Sequence, residues 1–343
     1  MIKIHNLESV NNPNSIHGIY PYRGKISAVD AQMIISQFDV GKTLLDPFCG
    51  SGTIVYEGRK YALQSVGIDA NPIAVALSRG KLDISCSLQE YICELDTFID
   101  KSKEFSTDDC LCEYSRSLFH PNTIDQIIRL SKLYESMSHY LQACFLGAIC
   151  LAARGCNNYK WTSSTVGKNI EPKRDIDFYD KLRCKLKKHY YPVALGGKVF
   201  YHDSRSLSEV IPADSIDYVF SSPPYFDCLD YTMYYARFAY DILGYDRISI
   251  KNGLIQNFNS YEDDMRKVLA ELYKVCKKGA RIIFVVGDKK IHNKIINGAE
   301  FFNSISPFEC EDVVERCYTG TSSQVFDNIN KTERKEQIII WKK

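Results

Sequence analysis

Lys42-Thr-Leu-Leu-Asp46-Pro-Phe-Cys-Gly-Ser-Gly-Thr53 is the stretch from which the fold can be read. Residues 42–45 form a short strand, and the segment from Asp46 to Thr53 leads from it into a helix running to about Tyr61. At such a strand-to-helix turn, glycines let the backbone approach a ligand closely, and the free amides of the helix start can bind a carboxylate. A phosphate-binding loop would need Gly-Lys-Ser/Thr at its end. A dinucleotide fingerprint would need a third glycine or alanine where Val55 stands. An amino acid end-group is the better ligand, with Asp46 placed to accept from its ammonium directly or through water.

The next strand is Gln64 to Ile68, and Asp69 at its tip lies 23 residues beyond Asp46, near the spacing at which an acidic side chain reaches ribose hydroxyls. Asn71-Pro72 then opens another helix, with Pro72 in its first turn. Much later, Asp214 to Phe220 reads as a buried strand that stops at Ser221-Ser222-Pro223-Pro224-Tyr225. The prolines lack amide hydrogens and have fixed φ, so the carbonyls beyond Phe220 point outward as a ledge of acceptors. With the Ser222 hydroxyl and the flat face of Tyr225, the ledge suits a planar ring whose exocyclic amine donates hydrogen bonds. A nucleobase fits that description.

Ser222-Pro-Pro-Tyr225 resembles the catalytic tetrapeptide of the amino-methyltransferases that modify exocyclic amines of DNA bases. Asp46-Pro-Phe-Cys-Gly-Ser-Gly-Thr53 resembles the cofactor motif of the same family, and Gly67-Ile-Asp-Ala-Asn-Pro-Ile-Ala74 resembles the second motif of class I methyltransferases. The likeness covers roughly the first 80 residues and everything after Lys198. It implies an α/β Rossmann-like sheet with a mainly helical insertion and a C-terminal antiparallel strand pair, formed by residues 308–318 and 336–341. The implied divisions are a cofactor-binding half over 1–80, an insertion over 81–197 with a share in target recognition, and a catalytic half over 198–343. The implied cofactor is S-adenosylmethionine, held by Asp46, Pro47, Phe48, Gly50, Gly52, Thr53, Asp69, Ala70, Asp203 and Ser221. Ser222, Pro223, Pro224 and Tyr225 are the implied catalytic residues.

By resemblance to the family's subgroups, serine at 222 favours cytosine N4 over adenine N6 in a base extruded from double-stranded DNA. Adenine-N6 methylation, methylation of an exocyclic amine in RNA and a catalytically silent regulator are the competing readings. A sequence-specific enzyme of this kind implies a cognate restriction endonuclease as partner. The covalent thiol route of the C5-cytosine enzymes needs a Pro-Cys pair, which this sequence lacks, so Cys49 and Cys228 read as packing residues.

Composition agrees with a large α/β chain: 343 residues, 45% apolar, net charge +1. Residues 159–198 hold ten Lys/Arg against four Asp/Glu, which points to a polyanion partner met by one part of the molecule. Lys181, Arg183, Lys185, Lys187 and Lys188 are the candidate phosphate contacts, and residues 157–165 add interleaved aromatics. Helical spacing marks residues 27–38, 88–99, 121–137, 139–154 and 261–278. The aromatic-rich stretch 226–261, with Tyr231 foremost, could line a base pocket. His17 to Lys25 reads either as an aromatic entry segment beside the cofactor or as the approach to an ordinary first helix. Thirteen irregularly spaced cysteines suit a reducing compartment, no metal site is indicated, and the N-terminus lacks an apolar signal core. A cytoplasmic location without a membrane segment is therefore expected.

Overall fold

The computed structural model describes residues 15–22, 26–108, 111–153, 174–194, 196–224, 230–233, 237–291, 294–319 and 333–343. Its main strands are β1 (Thr43–Asp46), β2 (Gln64–Asp69), β3 (Lys198–Tyr201), β4 (Ile216–Ser221), β5 (Cys276–Gly287), β6 (Glu309–Thr319) and β7 (Glu333–Lys342). They form one sheet in the order β3-β2-β1-β4-β5-β7-β6. The first five are parallel, and β7 runs antiparallel to both β5 and β6. This is the Rossmann-like arrangement with the C-terminal antiparallel pair. A separate ribbon, Lys289–Ile291 with Lys294–Ile296, follows β5.

The helices are α1 (Ala28–Ile35), α2 (Thr53–Lys60), α3 (Pro72–Leu82), α4 (Leu88–Ser102), α5 (Glu113–Arg116), α6 (Pro121–Ser131), α7 (His139–Ala153), α8 (Phe178–Lys188), α9 (Arg237–Ile242), α10 (Arg247–Gly253), α11 (Tyr261–Val275) and α12 (Gly298–Ile305). Among the described residues no helix is long and apolar enough to cross a membrane.

Period-two alternation divides the sheet between two apolar layers. Leu45, Val219, Ile282, Phe284 and Trp341 pack with α11 and α12, whereas their neighbours Leu44, Phe220, Ile283 and Ile340 pack with α1 and α2. Leu44, Leu45, Val219 and Phe220 are fully buried, and each such side chain contributes about 1.5–3 kcal/mol. A one-residue slip of β4 against β1 would exchange the two layers, so burial fixes the register Leu45↔Val219 and with it the positions of both strand ends.

Local signals set the helix starts. Ser27 Oγ accepts from the Asp30 amide, Asn71 Oδ1 accepts from the Ile73 amide ahead of Pro72, and Ser87 with Glu90 forms a capping box. Several expected boundaries move: the 27–38 helix ends at Ile35 and the 88–99 helix runs on to Ser102. The 261–278 helix ends at Val275, because the chain already pairs with β4 at Cys276, where Lys277 reaches Asp217 at 2.9 Å. The helix begun at Pro121 ends at Ser131, with a single turn at Tyr134–Ser136 beyond it.

The described residues between α3 and β3 are mainly helical, as the patterning implied, and share a core with the sheet's own helices. All of α7 except His139 and Leu151 is buried, the condition of a helix surrounded by protein. Gly80 of α3 lies against α7: a Cβ there would collide with the Ala143 Cβ and come within 2.6 Å of the His139 carbonyl oxygen. Because α3 runs through Leu82, the position-81 boundary falls inside a continuous helix. Gly80→Ala is expected to lower stability by about 1–3 kcal/mol, read as a lower urea midpoint. An unchanged midpoint would contradict the close helix contact.

Candidate active site

The C-terminal ends of β1 to β4 open into a cleft of about 860 Å³, counting its solvent-open mouth. The cleft sits where the strand order reverses between β1 and β4, the place at which open α/β sheets bind ligands. The turn after β1 supplies Phe48, Gly50, Ser51 and Thr53; β2 supplies Asp69 and Ala70; β3 supplies Asp203; and β4 supplies Ser222 and Pro224. Tyr22, Tyr231, Leu254 and Ile255 complete the walls.

Asp46 lies at the floor, 2% exposed. Its Oδ1 accepts from Ser221 Oγ at 2.6 Å and from the Phe48 amide at 3.1 Å. Burial pushes its carboxyl up to about 7 despite those bonds, and the nearby Asp69 carboxylate adds to the shift. Asp69 accepts from the Gly50 amide at Oδ2 and from the Asn71 amide at Oδ1, both at 2.8 Å. It thereby fastens the glycine turn to the tip of β2, and burial raises it to about 6. Asn71 in turn accepts from the Tyr240 hydroxyl at 2.6 Å, which docks α9 on the same turn.

The glycine turn needs its glycines. Gly50 and Gly52 have φ of 50° and 74°, and a Cβ on Gly52 would stand 2.9 Å from the Ser78 Cα. Gly52 caps α2 without a side chain, so the first amides of the helix stay open to a ligand. Ser51 Oγ and Thr53 Oγ1 are buried at the cleft without a hydrogen-bond partner. Buried hydroxyls are ordinarily satisfied, so these two mark a place for an acceptor such as a carboxylate. Cys49 is buried with its thiol pushed up by desolvation, which suits packing rather than nucleophilic attack.

Of the expected cofactor residues, Asp46, Phe48, Gly50, Thr53, Asp69, Ala70 and Asp203 line the cleft, and Pro47, Gly52 and Ser221 do not. Ser221 is fully buried and donates its hydroxyl to Asp46. The Pro47 carbonyl is occupied by the Ser204 hydroxyl. Asp203 caps its own turn by accepting from the Arg205 amide at 2.8 Å and also binds the Arg205 guanidinium. Arg205 further reaches Asp264 and the Gly253 carbonyl, and so pins the far wall of the cleft.

At the β4 turn, Ser222 and Pro224 face the cleft, whereas Pro223 is buried. The Pro224 carbonyl accepts from the Tyr261 hydroxyl, which removes it from the expected ledge of outward acceptors. Tyr225 and Cys228 lie outside the described residues, as do residues 157–165. Tyr231 joins the cleft wall.

The candidate phosphate contacts Lys181 to Lys188 lie on α8, and there the structure corrects the reading. Lys185 is 6% exposed, packed inside, and Arg183 is engaged by Asp96 at 2.7 Å and Asp180 at 3.1 Å. An amphipathic helix buries one side, and Lys185 falls on that side. Lys187 and Lys188 are exposed, with Lys181 half-buried. Sequence reasoning missed Ser51, Asn71, Arg205, Leu254 and Ile255. Asn71 was visible only as a cap, and nothing in the Leu254-Ile255 stretch signals a cleft.

No family model matches the chain. It is similar to the type II methyltransferase M.MjaII of Methanocaldococcus jannaschii, 35% identical over 92 residues, which are 26% of this chain and 17% of that protein. It is also similar to the type II methyltransferase M.BsoBI of Geobacillus stearothermophilus, 38% identical over 66 residues, 19% of this chain and 13% of that protein. The chain thus matches less than a fifth of the length of these relatives. Among solved structures it overlays on the rRNA methyltransferase AviRa of Streptomyces viridochromogenes with a TM-score of 0.37 at 14% identity, covering 94% of this chain and 87% of that one. A SAM-dependent methyltransferase of Methanosarcina mazei overlays with a TM-score of 0.36 at 11% identity, covering 91% and 96%.

The Asp46 carboxyl has a testable consequence for stability. Its pKa is about 7 folded against an ordinary 3.8, so the folded state holds the proton more tightly. The contribution to stability is fully present below about pH 4, declines as pH rises to about 7 and is level above that. Asp46→Asn removes this decline: measured by urea unfolding from pH 4 to 8, the difference between variant and parent should move in the variant's favour up to about pH 7. A difference constant with pH would contradict the buried, proton-retaining carboxyl.

Proposed function

We propose that this chain transfers a methyl group from S-adenosylmethionine to the exocyclic N4 amine of a cytosine in double-stranded DNA. The observation that carries the reading is that Asp46, Ser222 and Pro224 face one cleft, with the two strand ends locked together by the Ser221 hydroxyl on Asp46. The two relatives, each named a type II methyltransferase, support it.

The cleft fits the cofactor's parts. The Asp46 carboxylate would take the ammonium, with the Ser51 and Thr53 hydroxyls and the open α2 amides for the carboxylate. Asp69 would accept from the ribose hydroxyls. Asp203, with Leu254 and Ile255 as an apolar slot, would take the adenine. S-adenosylmethionine, when bound, supplies a methyl group activated by its sulfonium.

What the chain must do is make a poor nucleophile attack. The lone pair of a cytosine amine is delocalised into the ring, so acceptors at its hydrogens are needed to localise it and to stabilise the positive charge that develops at N4. Ser222 Oγ and the Pro223 carbonyl are assigned to the two N–H groups, because the Pro224 carbonyl already serves Tyr261. Tyr225 would stack the ring and fix its angle. The surplus proton on N4 leaves to water after transfer, so no cysteine or general base is required. A paired base cannot present this amine within the duplex, so extrusion is implied, at about a few kcal/mol.

In this reading residues 1–80 bind the cofactor, residues 198–343 carry the catalytic turn, and the 81–197 insertion meets the DNA backbone through exposed cations such as Lys187 and Lys188. Target specificity and a cognate restriction endonuclease in the cytoplasm complete the proposal.

Labelled S-adenosylmethionine incubated with mixed-sequence duplex DNA, followed by digestion to nucleosides, should place the label on N4-methylcytosine. Label on N6-methyladenine would overturn the base assignment, and DNA left unlabelled would overturn the reading. Ser222→Ala should reduce kcat by about 10²–10³-fold with the cofactor Kd unchanged. Full turnover in that variant would remove the hydroxyl from the mechanism.

A further inference from the structure

Residues 15–22 cross the molecule between the insertion and the sheet's helices as a strap that ends in the cleft wall. Ile16, His17, Ile19 and Tyr20 are buried along it, and Tyr22 stands over the glycine turn, its ring 3.1 Å from where a Cβ on Gly50 would be. Glu57 of α2 holds the strap from the sheet side: its Oε1 lies 2.7 Å from His17 Nε2, while Gln32 Nε2 donates to its Oε2 at 2.9 Å.

The insertion holds the strap from the other side, by its backbone. The strap rests directly on Gly147 of α7, where any Cβ would collide with the Ile19 carbonyl oxygen. Lys185 of α8 passes over the same glycine, its Cε 2.6 Å from that Cβ position, and donates from Nζ to the Gly18 carbonyl at 3.2 Å. His189 Nδ1 donates to the Ser15 carbonyl at 2.7 Å. A lysine 6% exposed is costly to bury unless its ammonium is satisfied, and here the strap's Gly18 carbonyl accepts from it.

We infer that Lys185 is a positioning residue for the cofactor end of the cleft: together with Gly147 it sets the strap of residues 15–22 and so the placement of Tyr22. This rests on the reading of the cleft as an S-adenosylmethionine site. It gives the insertion a role in cofactor affinity, carried by the very lysine that charge patterning assigned to phosphate.

The experiment is isothermal titration of the full chain with S-adenosylmethionine, beside duplex DNA binding at several salt concentrations. Lys185→Met keeps the aliphatic stem and removes the donor. It should raise the S-adenosylmethionine Kd about tenfold while leaving DNA affinity and its salt slope as in the parent. Tyr22→Ala should raise the Kd similarly, and the double variant should lose less than the two changes combined, as expected of residues acting through one another. A weakened DNA complex with a salt slope reduced by about one, at unchanged cofactor Kd, would overturn the inference in favour of a phosphate contact. Full additivity, or a Kd equal to the parent's, would overturn it too. Failure of the parent itself to bind S-adenosylmethionine would instead refute the functional reading. Should Lys185→Met not fold, amide exchange of the parent decides: saturating S-adenosylmethionine should slow exchange across residues 15–22, and unchanged exchange there contradicts the role.

Discussion

A single buried hydrogen bond, from Ser221 Oγ to Asp46 Oδ1 at 2.6 Å, joins residues 175 positions apart at the point where β1 and β4 separate. Parallel pairing at Leu45 and Val219 brings the strand ends together, and the bond then fixes how the two chains leave the sheet. One leaves into the glycine turn and the other into Ser222-Pro223-Pro224. Breaking it would strand a carboxylate or a hydroxyl in the interior, at about 1–3 kcal/mol or more for the charged group. The bond also accounts for the chemistry of the floor, because a carboxyl held near neutrality by burial is poised to ionise when a cation arrives to match it.

Around this point the molecule is arranged as walls brought from distant sequence. Asp69 fastens the β1 turn to the β2 turn, Asn71 fastens that turn to Tyr240 of α9, and Arg205 fastens the β3 turn to α11 and to the end of α10. Each link is a side-chain hydrogen bond between turns or helices that are far apart in sequence. The helical insertion, continuous with α3 through Gly80, belongs to the same body. Its apolar α7 is a foundation for the cleft as much as a platform for anything outside it.

How much of this was legible depended on whether a feature was local. The strand-turn-helix at Leu44 to Lys60, the Asn71-Pro72 start and the strand ending at Ser221 are each set by a few neighbouring residues, and the sequence pattern alone located them within a residue or two. Asp46, Asp69 and Asp203 were legible for the same reason, since each sits at the tip of a strand. Ser221 is a cofactor residue by resemblance alone, and only the pairing of β1 with β4 shows that its hydroxyl goes to Asp46. Lys185 was misread because a run of cations has the same composition on either side of a helix. Its direction is decided by Leu182 and Leu186, which bury their side of α8 and carry Lys185 inward. Leu254, Ile255 and Arg205 were invisible, for they become cleft walls through tertiary contacts that no local pattern encodes.

The central claim is that one cleft presents a cofactor's amino acid end at Asp46 and the reacting methyl at Ser222. A crystal structure of the full chain with S-adenosylmethionine tests it most directly. The predicted result is an ammonium within hydrogen-bond reach of Asp46, a carboxylate at Ser51 and Thr53, and a sulfonium methyl directed at the Ser222–Pro224 turn. A cofactor bound away from Asp46, or bound there with its methyl turned from Ser222, would contradict the account.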